Sequence, residues 1–515
     1  MVLALVVNAN IMANGFVYDD VPQIEQNPWL RDPASLPRAF TTNVWGFAAP
    51  QATSNFYRPA MHALNLAIFQ VAGRQAWAFH LVSLLLHALC TLLVWFVVME
   101  LSGDARAALW AELFFAVHPI HVEPVAWIAA SPDLACTFFV LAAFLLHVRG
   151  RTWAAWILFF VALMCKETAV VLPVLVFAYE FGRRDVLRKY GGYVIAFAMY
   201  VPLRIAALHG WTSPHSIDRL QLNEIQRFYS SFALFGRYLL KLVVPLPLSI
   251  LPTFHASTLF DWRFWAGLAA FAAMIALGRA LWRAGKREWM AIVWMVAPIL
   301  VPIAALPYLG GNTFGERYLY LPSIGFCWLL GAVLARRAKE PAILYGGALA
   351  LVAAVLSWTA APIFHDDVSL WEHADSVDRD SPSIHSWLAQ AYLYAGRNAR
   401  ALELFEQAVR EDPTRPGSQN GYGIALATAG RLDEARAALE RADALAPQSG
   451  VPALSLGLLD ERDGDLAAAE REYRRAIVRD PELAAAHRYL GILLLKENRL
   501  DEADAEFRKG GQNMK

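Results

Sequence analysis

GRNARALELFEQAVREDP (residues 396–413), GRLDEARAALERADALAP (430–447) and GDLAAAEREYRRAIVRDP (464–481) are successive copies of one pattern, and NRLDEADAEFRKG (498–510) opens the next. Gly396, Gly430 and Gly464 stand 34 residues apart, with Asn498 in the fourth place. Pro413, Pro447 and Pro481 keep the same step, as do Ala401, Ala435, Ala469 and Ala503. So do Ala408, Ala442 and Ala476. A fixed step of this length predicts a solenoid, in which each unit buries its apolar face on the next.

The period and its pattern are the tetratricopeptide (TPR) signature. Four repeats are predicted over 382–515. Trp371 and Ala374 fall 34 residues before Phe405 and Ala408. Residues 362–381 are therefore read as a linker and a degenerate capping half-repeat. An array of this kind binds an extended peptide or a partner helix in its concave groove; the alternative is a dimerisation module.

Residues 1–361 have another character. Of the 515 residues, 57% are hydrophobic and only 17% charged, against about 45–50% and 25% in soluble domains. The mean hydropathy is +0.36, and the excess lies before about residue 362. Net charge is zero, so no nucleic-acid footprint is present. Cys90, Cys136, Cys165 and Cys327 lie in or beside apolar stretches, which argues against a disulfide framework.

About 11 spans are predicted, at 1–16, 77–101, 106–119, 131–149, 152–166, 168–182, 190–208, 261–283, 288–307, 317–336 and 341–361. The first is short, interrupted by Asn8, Asn10 and Asn14, or the start lies upstream. Loops holding Arg106, Arg149 and Arg151, then Arg183, Arg184, Arg188 and Lys189, then Arg283, Lys286 and Arg287, then Arg336, Arg337 and Lys339, fall on one side. By the positive-inside rule that side is cytoplasmic. The stretch 229–249 is read as an interfacial or re-entrant helix with Arg237 and Lys241 on its polar face, because a crossing there would invert every later basic loop. This places the repeats outside the cytoplasm, periplasmic in a Gram-negative inner membrane.

Polar clusters collect on that outer side: Asp19-Asp20, Arg58, His118/His121/Glu123, Asp133, Lys166-Glu167 and Glu316-Arg317. Ionisable groups near membrane depth are functional candidates by default. Each also has a structural reading. Asp19-Asp20 suits a general base or a solvated helix end. The His118/His121/Glu123 set leaves a metal site, hydrogen bonds to a ligand and a packing role open. Lys166 suits a phosphate or a helix end, and Arg317 a phosphate or its neighbour Glu316. Gly310-Gly311 lacks the Lys and Ser/Thr of a nucleotide cradle, so ATP or NAD chemistry is not expected.

In order along the chain, F-V-Y-D-D (16–20), Y-R-P (57–59), H-P-I-H-x-E (118–123), the Asp of Ser131-Pro132-Asp133, C-K-E-T (165–168), E-R-x-L-Y-L-P-S (316–323) and then the repeats resemble the transmembrane and TPR-repeat-containing O-mannosyltransferase family of the GT-C glycosyltransferase superfamily. The resemblance spans nearly the whole chain. It implies an all-α fold, a GT-C-type bundle followed by a TPR solenoid. It also implies a glycosyltransferase with a polyprenyl-phosphate-linked sugar as donor and a hydroxyl of an extracytoplasmic protein as acceptor. The first outer loop would supply the catalytic base, the leading acid Asp19, with Asp20 the other candidate. Lys166, Arg317 and Arg58 would meet the lipid phosphate, and His118, His121 and Glu123 would orient sugar, phosphate or water. Asp133, Glu167 and Glu316 complete the expected donor-binding set. No metal ligand is assigned and no cofactor is required, a divalent metal being the alternative. The short first helix, only four clear repeats and Pro124 after Glu123 depart from the family pattern and leave sugar and acceptor open. Two other readings stand beside this one: the same chemistry on a lipid-linked glycan or cell-wall polymer, and a non-enzymatic TPR membrane scaffold.

Overall fold

The computed structural model describes residues 1–48, 54–182, 186–211, 222–248, 250–309, 313–481 and 483–510, which form helices and turns and no strand. Arg183, Arg184, the side chain of Arg188 and the Gly310-Gly311 pair lie outside the described residues. The fold is all-α and divides into two units, Met1–Gly46 with Thr53–Asp366, and Phe47–Ala52 with Asp367–Lys515.

In the first unit α1 (Val2–Val7), α2 (Leu36–Ala39) and α3 (Pro59–Ala72) precede the long α4 (Ala76–Ser102). Then come α5 (Ala105–Val117), α6 (Val122–Ala126), α7 (Ser131–Val148), α8 (Thr152–Cys165), α9 (Leu172–Glu180) and α10 (Val186–Leu208). The unit closes with α11 (Glu224–Val243), α12 (Trp262–Arg283), α13 (Trp289–Ala304), α14 (Ser323–Ala335) and α15 (Lys339–Ala360). Local chemistry sets these ends. Gly103, at φ +70°, closes α4, and Asp104 caps α5 by accepting from the N–H groups of Arg106 and Ala107. Pro119 keeps His118 extended, which stops α5.

Five segments are long and apolar enough to cross a membrane: Ala76–Ser102, Ile128–Val148, Lys189–Leu208, Trp262–Arg283 and Lys339–Phe364. The other six expected spans are shorter helices. Three of these, Thr152–Cys165, Trp289–Ala304 and Ser323–Ala335, are apolar throughout. The segment 1–16 is divided for the reason its asparagines suggest. Asn10 and Asn14 turn their amides to the carbonyls of Trp358 and Ala361, and Asn8 turns back to Ala4. In 168–182 a 3-10 turn over Glu167–Val171 comes before α9. The outer loop expected over 17–76 contains the 14-residue α3, with Pro59 at its first position.

Packing depends on close backbone approaches. At Gly331 of α14 a Cβ would stand 2.5 Å from the Ala107 carbonyl and 2.9 Å from the Ala111 N–H of α5. At Gly236 of α11 it would stand 2.8 Å from the Gly267 Cα of α12. α12 and α15 leave apolar side chains uncovered, among them Trp265, Ile275, Leu351 and Val355. Such a face suits hydrocarbon rather than water. The amphipathic α11 begins with a capping box between Asn223 and Gln226. Lys241, expected on its polar face, is instead buried in an ion pair.

The second unit contains α16 (Asp367–Val377), α17 (Pro382–Tyr394), α18 (Asn398–Glu411), α19 (Pro416–Thr428), α20 (Leu432–Leu445), α21 (Val451–Asp463), α22 (Leu466–Arg479), α23 (Ala484–Lys496) and α24 (Leu500–Lys509). The 34-residue step has a direct physical cause. Gly396, Gly430 and Gly464 turn the chain at positive φ, and Asn498 does the same at +61°. Ala389, Gly423, Gly457 and Gly491 leave room for the rings or branches of Phe405, Leu439, Tyr473 and Phe507. Trp371 stacks on Trp387 at 5.8 Å.

Gly331→Val is expected to destabilise the first unit by about 1–3 kcal/mol through overpacking of α14 on α5. Thermal unfolding in detergent measures it; an unchanged midpoint would mean that the two helices do not approach as described.

Candidate functional site

The chain leaves its first segment through Tyr18, a non-glycine residue at φ +49°, which turns two successive carboxylates in different directions. Asp20 is fully buried, and its oxygens accept from the backbone N–H groups of Ala129 (2.6 Å) and Val17 (3.2 Å). It pins the first loop to the turn before α7. Asp19 is partly open. Burial pushes its carboxyl up to about 6, against the pull of the Arg317 and then the Arg58 guanidinium.

Arg317 lies against Glu123. Its side chain meets one carboxylate oxygen at 2.5 Å and its backbone N–H meets the other at 2.8 Å. Its guanidinium sits 5.1 Å from the ring centres of both Trp127 and Tyr318. Lys166 stands where α8 ends, held extended before the 3-10 turn, and its ammonium meets Asp133 at 2.5 Å. The same ammonium lies 5.0 Å from the Tyr318 ring centre. Tyr318 thus joins two cations, each with its own buried carboxylate.

Lys166 and Tyr318 line a cavity of about 460 Å³ together with Arg58, Glu167 and Arg204. Its lining also has an apolar part, Val301, Pro302, Ala305 and Leu309. Arg58 contacts Glu167 at 3.6 Å, while its buried Nε–H meets no acceptor. Glu167 also accepts from the Tyr57 N–H at 3.2 Å, and Arg204 donates to the Asn55 carbonyl at 3.0 Å. Three cations and one carboxylate beside an apolar wall form an environment for an amphiphile with an anionic head.

The remaining expected residues are used differently. His118 meets the Leu242 carbonyl at 3.0 Å through Nε2, and its Nδ1 accepts from the Ile120 N–H at 3.2 Å. His121 spans the Phe115 carbonyl and the Ser323 hydroxyl, both at 2.8 Å. Their ring nitrogens bind protein groups, and neither histidine lines the cavity. Glu316 likewise pairs with Lys241 at 3.0 Å, and together with His118 it ties down the end of α11. Glu123 is the counter-ion of Arg317. Among the described residues no group of three or more His, Cys, Asp or Glu could hold a metal ion.

Arg204 and Tyr318 were not singled out from sequence. Arg204 carries a signal, a lone arginine in the apolar run of α10. Tyr318 is one aromatic residue among many, and only the fold puts it under two cations.

Residues 58–206 match the family described as dolichyl-phosphate-mannose-protein mannosyltransferase, and 388–450 and 454–510 match the tetratricopeptide repeat. The first match includes Arg58, Lys166 and Arg204 but neither Asp19 nor Arg317. The human protein O-mannosyl-transferase TMTC3 is 25% identical over 97% of this chain and 62% of its own length. Drosophila melanogaster Tmtc2, of the same description, is 34% identical over 33% of this chain and 20% of its own. A thermophilic TPR protein of Thermus thermophilus covers 31% of this chain and 84% of its own at 25% identity, with a TM-score of 0.27. The chain spans 62% of the length of the human relative. A mannosyltransferase-type match in the helical bundle, repeats after it and an alignment along nearly the whole chain make this an integral membrane protein similar to the protein O-mannosyl-transferases that carry tetratricopeptide repeats.

Proposed function

We propose that the first unit moves a sugar, mannose by the description of the matching family, from a polyprenyl phosphate to a hydroxyl of a protein outside the cytoplasm. The observation that carries this reading is the cavity lined by Arg58, Lys166 and Arg204 beside an apolar wall, with the partly open Asp19 under the influence of Arg58 and Arg317. The lipid would lie along Val301, Pro302, Ala305 and Leu309, and its phosphate among the three cations. Asp19 takes the proton of the acceptor hydroxyl as the oxygen attacks the anomeric carbon. The carbon–oxygen bond to the phosphate breaks, and the phosphate leaves with the electron pair. The cations offset the charge that develops on it. Asp20 is assigned to structure because backbone donors already hold its two oxygens. The apolar helices support a membrane location and the one-sided basic loops a placement of the site and the repeats on the outer side; a bacterial inner membrane is proposed with them. The boundaries read from sequence, 1–361 for the catalytic bundle, 362–381 for the linker and cap and 382–515 for the repeats, are proposed with it. The TPR groove is proposed to present the acceptor.

A carboxylate base is worth about 10²–10⁴ in rate. Asp19→Asn is expected to lose that much transfer while inserting in the membrane normally. Because the Asp19 carboxyl lies near 6, its basic form grows as pH rises from 5 to 7. The wild-type rate at low substrate should rise across that window, and the Asn variant should lack the rise. Full transfer by Asp19→Asn would remove this residue from the chemistry.

Arg204→Ala and Lys166→Ala each delete one charge-assisted contact, worth about 1.5–3 kcal/mol. Donor affinity, read by titration of a polyprenyl phosphate, should fall about tenfold or more in each. Equal affinity in both variants would place the phosphate elsewhere.

Truncation after Asp366 is expected to preserve slow donor hydrolysis or transfer to a small artificial hydroxyl acceptor and to abolish transfer to the natural protein. Undiminished transfer to the natural protein would show that the repeats do not present the acceptor.

A further inference from the structure

At the opposite ends of α5, α13 and α14 from the candidate site lies a second polar cavity, of about 290 Å³. One end of each helix lies toward the candidate site: the stretch that carries Glu123 follows α5, the Leu306–Tyr308 turn follows α13, and Arg317 precedes α14. Their other ends meet around this second cavity, whose walls include Asp104, Lys286, Arg287, Glu288, Trp328 and Arg336.

The charges divide into a paired set and an available set. Arg336 is paired with Glu288. Asp104 is engaged as the cap of α5 through the Arg106 and Ala107 N–H groups. Arg287 gives one N–H to the Leu101 carbonyl at 3.2 Å and has further donors, and Lys286 is exposed at the rim. The wall also holds Trp328, fully buried, whose indole N–H meets no acceptor in the protein. Buried N–H donors nearly always have a partner. An unpartnered donor on a residue that lines a polar cavity, beside two cations with donors to spare, suits an oxygen-bearing anion. The basic loops put this end of the bundle on the side that the positive-inside rule assigns to the cytoplasm. Anionic lipids are attracted to basic pockets between membrane helices on that side.

We propose that this cavity binds a phosphate oxyanion, supplied as the headgroup of an anionic phospholipid. The inference is independent of the transfer reaction. A phosphodiester headgroup and free phosphate share this chemistry, and the experiment separates them.

The full chain, purified in detergent, is titrated with phosphatidylglycerol, with phosphatidylcholine and with inorganic phosphate at fixed ionic strength, and bound lipid is read by native mass spectrometry and by the thermal midpoint. Phosphatidylglycerol should bind and raise the midpoint, and phosphatidylcholine should not. Lys286→Ala combined with Arg287→Ala should weaken phosphatidylglycerol about tenfold or more. Trp328→Phe, which keeps the ring bulk and removes the N–H, should weaken it by several-fold. Arg204→Ala, in the other cavity, should leave this binding unchanged. Saturable inorganic phosphate that the Lys286/Arg287 variant loses, with no added effect of lipid, would support the oxyanion site and replace the lipid source by a soluble one. Phosphatidylglycerol binding that survives the Lys286/Arg287 variant, binding lost in Arg204→Ala instead, or no binding of either anion would overturn the proposal.

Discussion

Two cations against one aromatic ring constrain the membrane unit. Lys166 and Arg317 both approach the Tyr318 ring, and each needs a carboxylate of its own, Asp133 and Glu123. Removing one partner of such a buried pair leaves a charge uncompensated, at a cost of about 3–5 kcal/mol. The pairs therefore hold the turn before α14 against α6, and the start of α7 against the end of α8. Asp20 adds a further tie of the same kind, fixing the first loop through two backbone N–H groups. What remains open after these pairings is small: Asp19, and a cavity whose cations outnumber its one carboxylate.

The second unit follows a different economy. Its stability comes from a repeated small-on-large contact and from left-handed turns, and the clusters at its core are apolar. Asn498 shows the rule by exception, since it takes the glycine place and adopts the glycine conformation. Stacked repeats of this kind are stabilised by their neighbours, which leaves the groove side chains free to vary with the partner.

The repeats were legible from sequence because periodicity is local: Gly396, Ala401, Ala408 and Pro413 recur without reference to anything distant. The long helices were legible from their length and apolarity. The short ones were not, because Asn8, Asn10 and Asn14 or the 3-10 turn over Glu167–Val171 break a run that still averages as apolar. The motifs named candidate residues, but not what each of them touches. His118, His121 and Glu316 stand in motifs beside Glu123 and Arg317, yet they bind α11 and α14 instead of facing the cavity. Nothing in the local sequence separates a histidine that meets a ligand from one that meets a carbonyl 124 residues away. Arg204 enters the cavity from α10 for the same reason in reverse, since a lone arginine acquires its neighbours only through the fold.

The account rests on where a lipid phosphate sits. A cryo-electron microscopy structure of the full chain with a bound polyprenyl phosphate tests that most directly. The account predicts phosphate density within hydrogen-bond reach of Arg58, Lys166 and Arg204, with the chain running along Val301, Pro302 and Ala305 and Asp19 facing the space beside it. Density for the phosphate in any other part of the bundle, with this cavity holding only water, would contradict it.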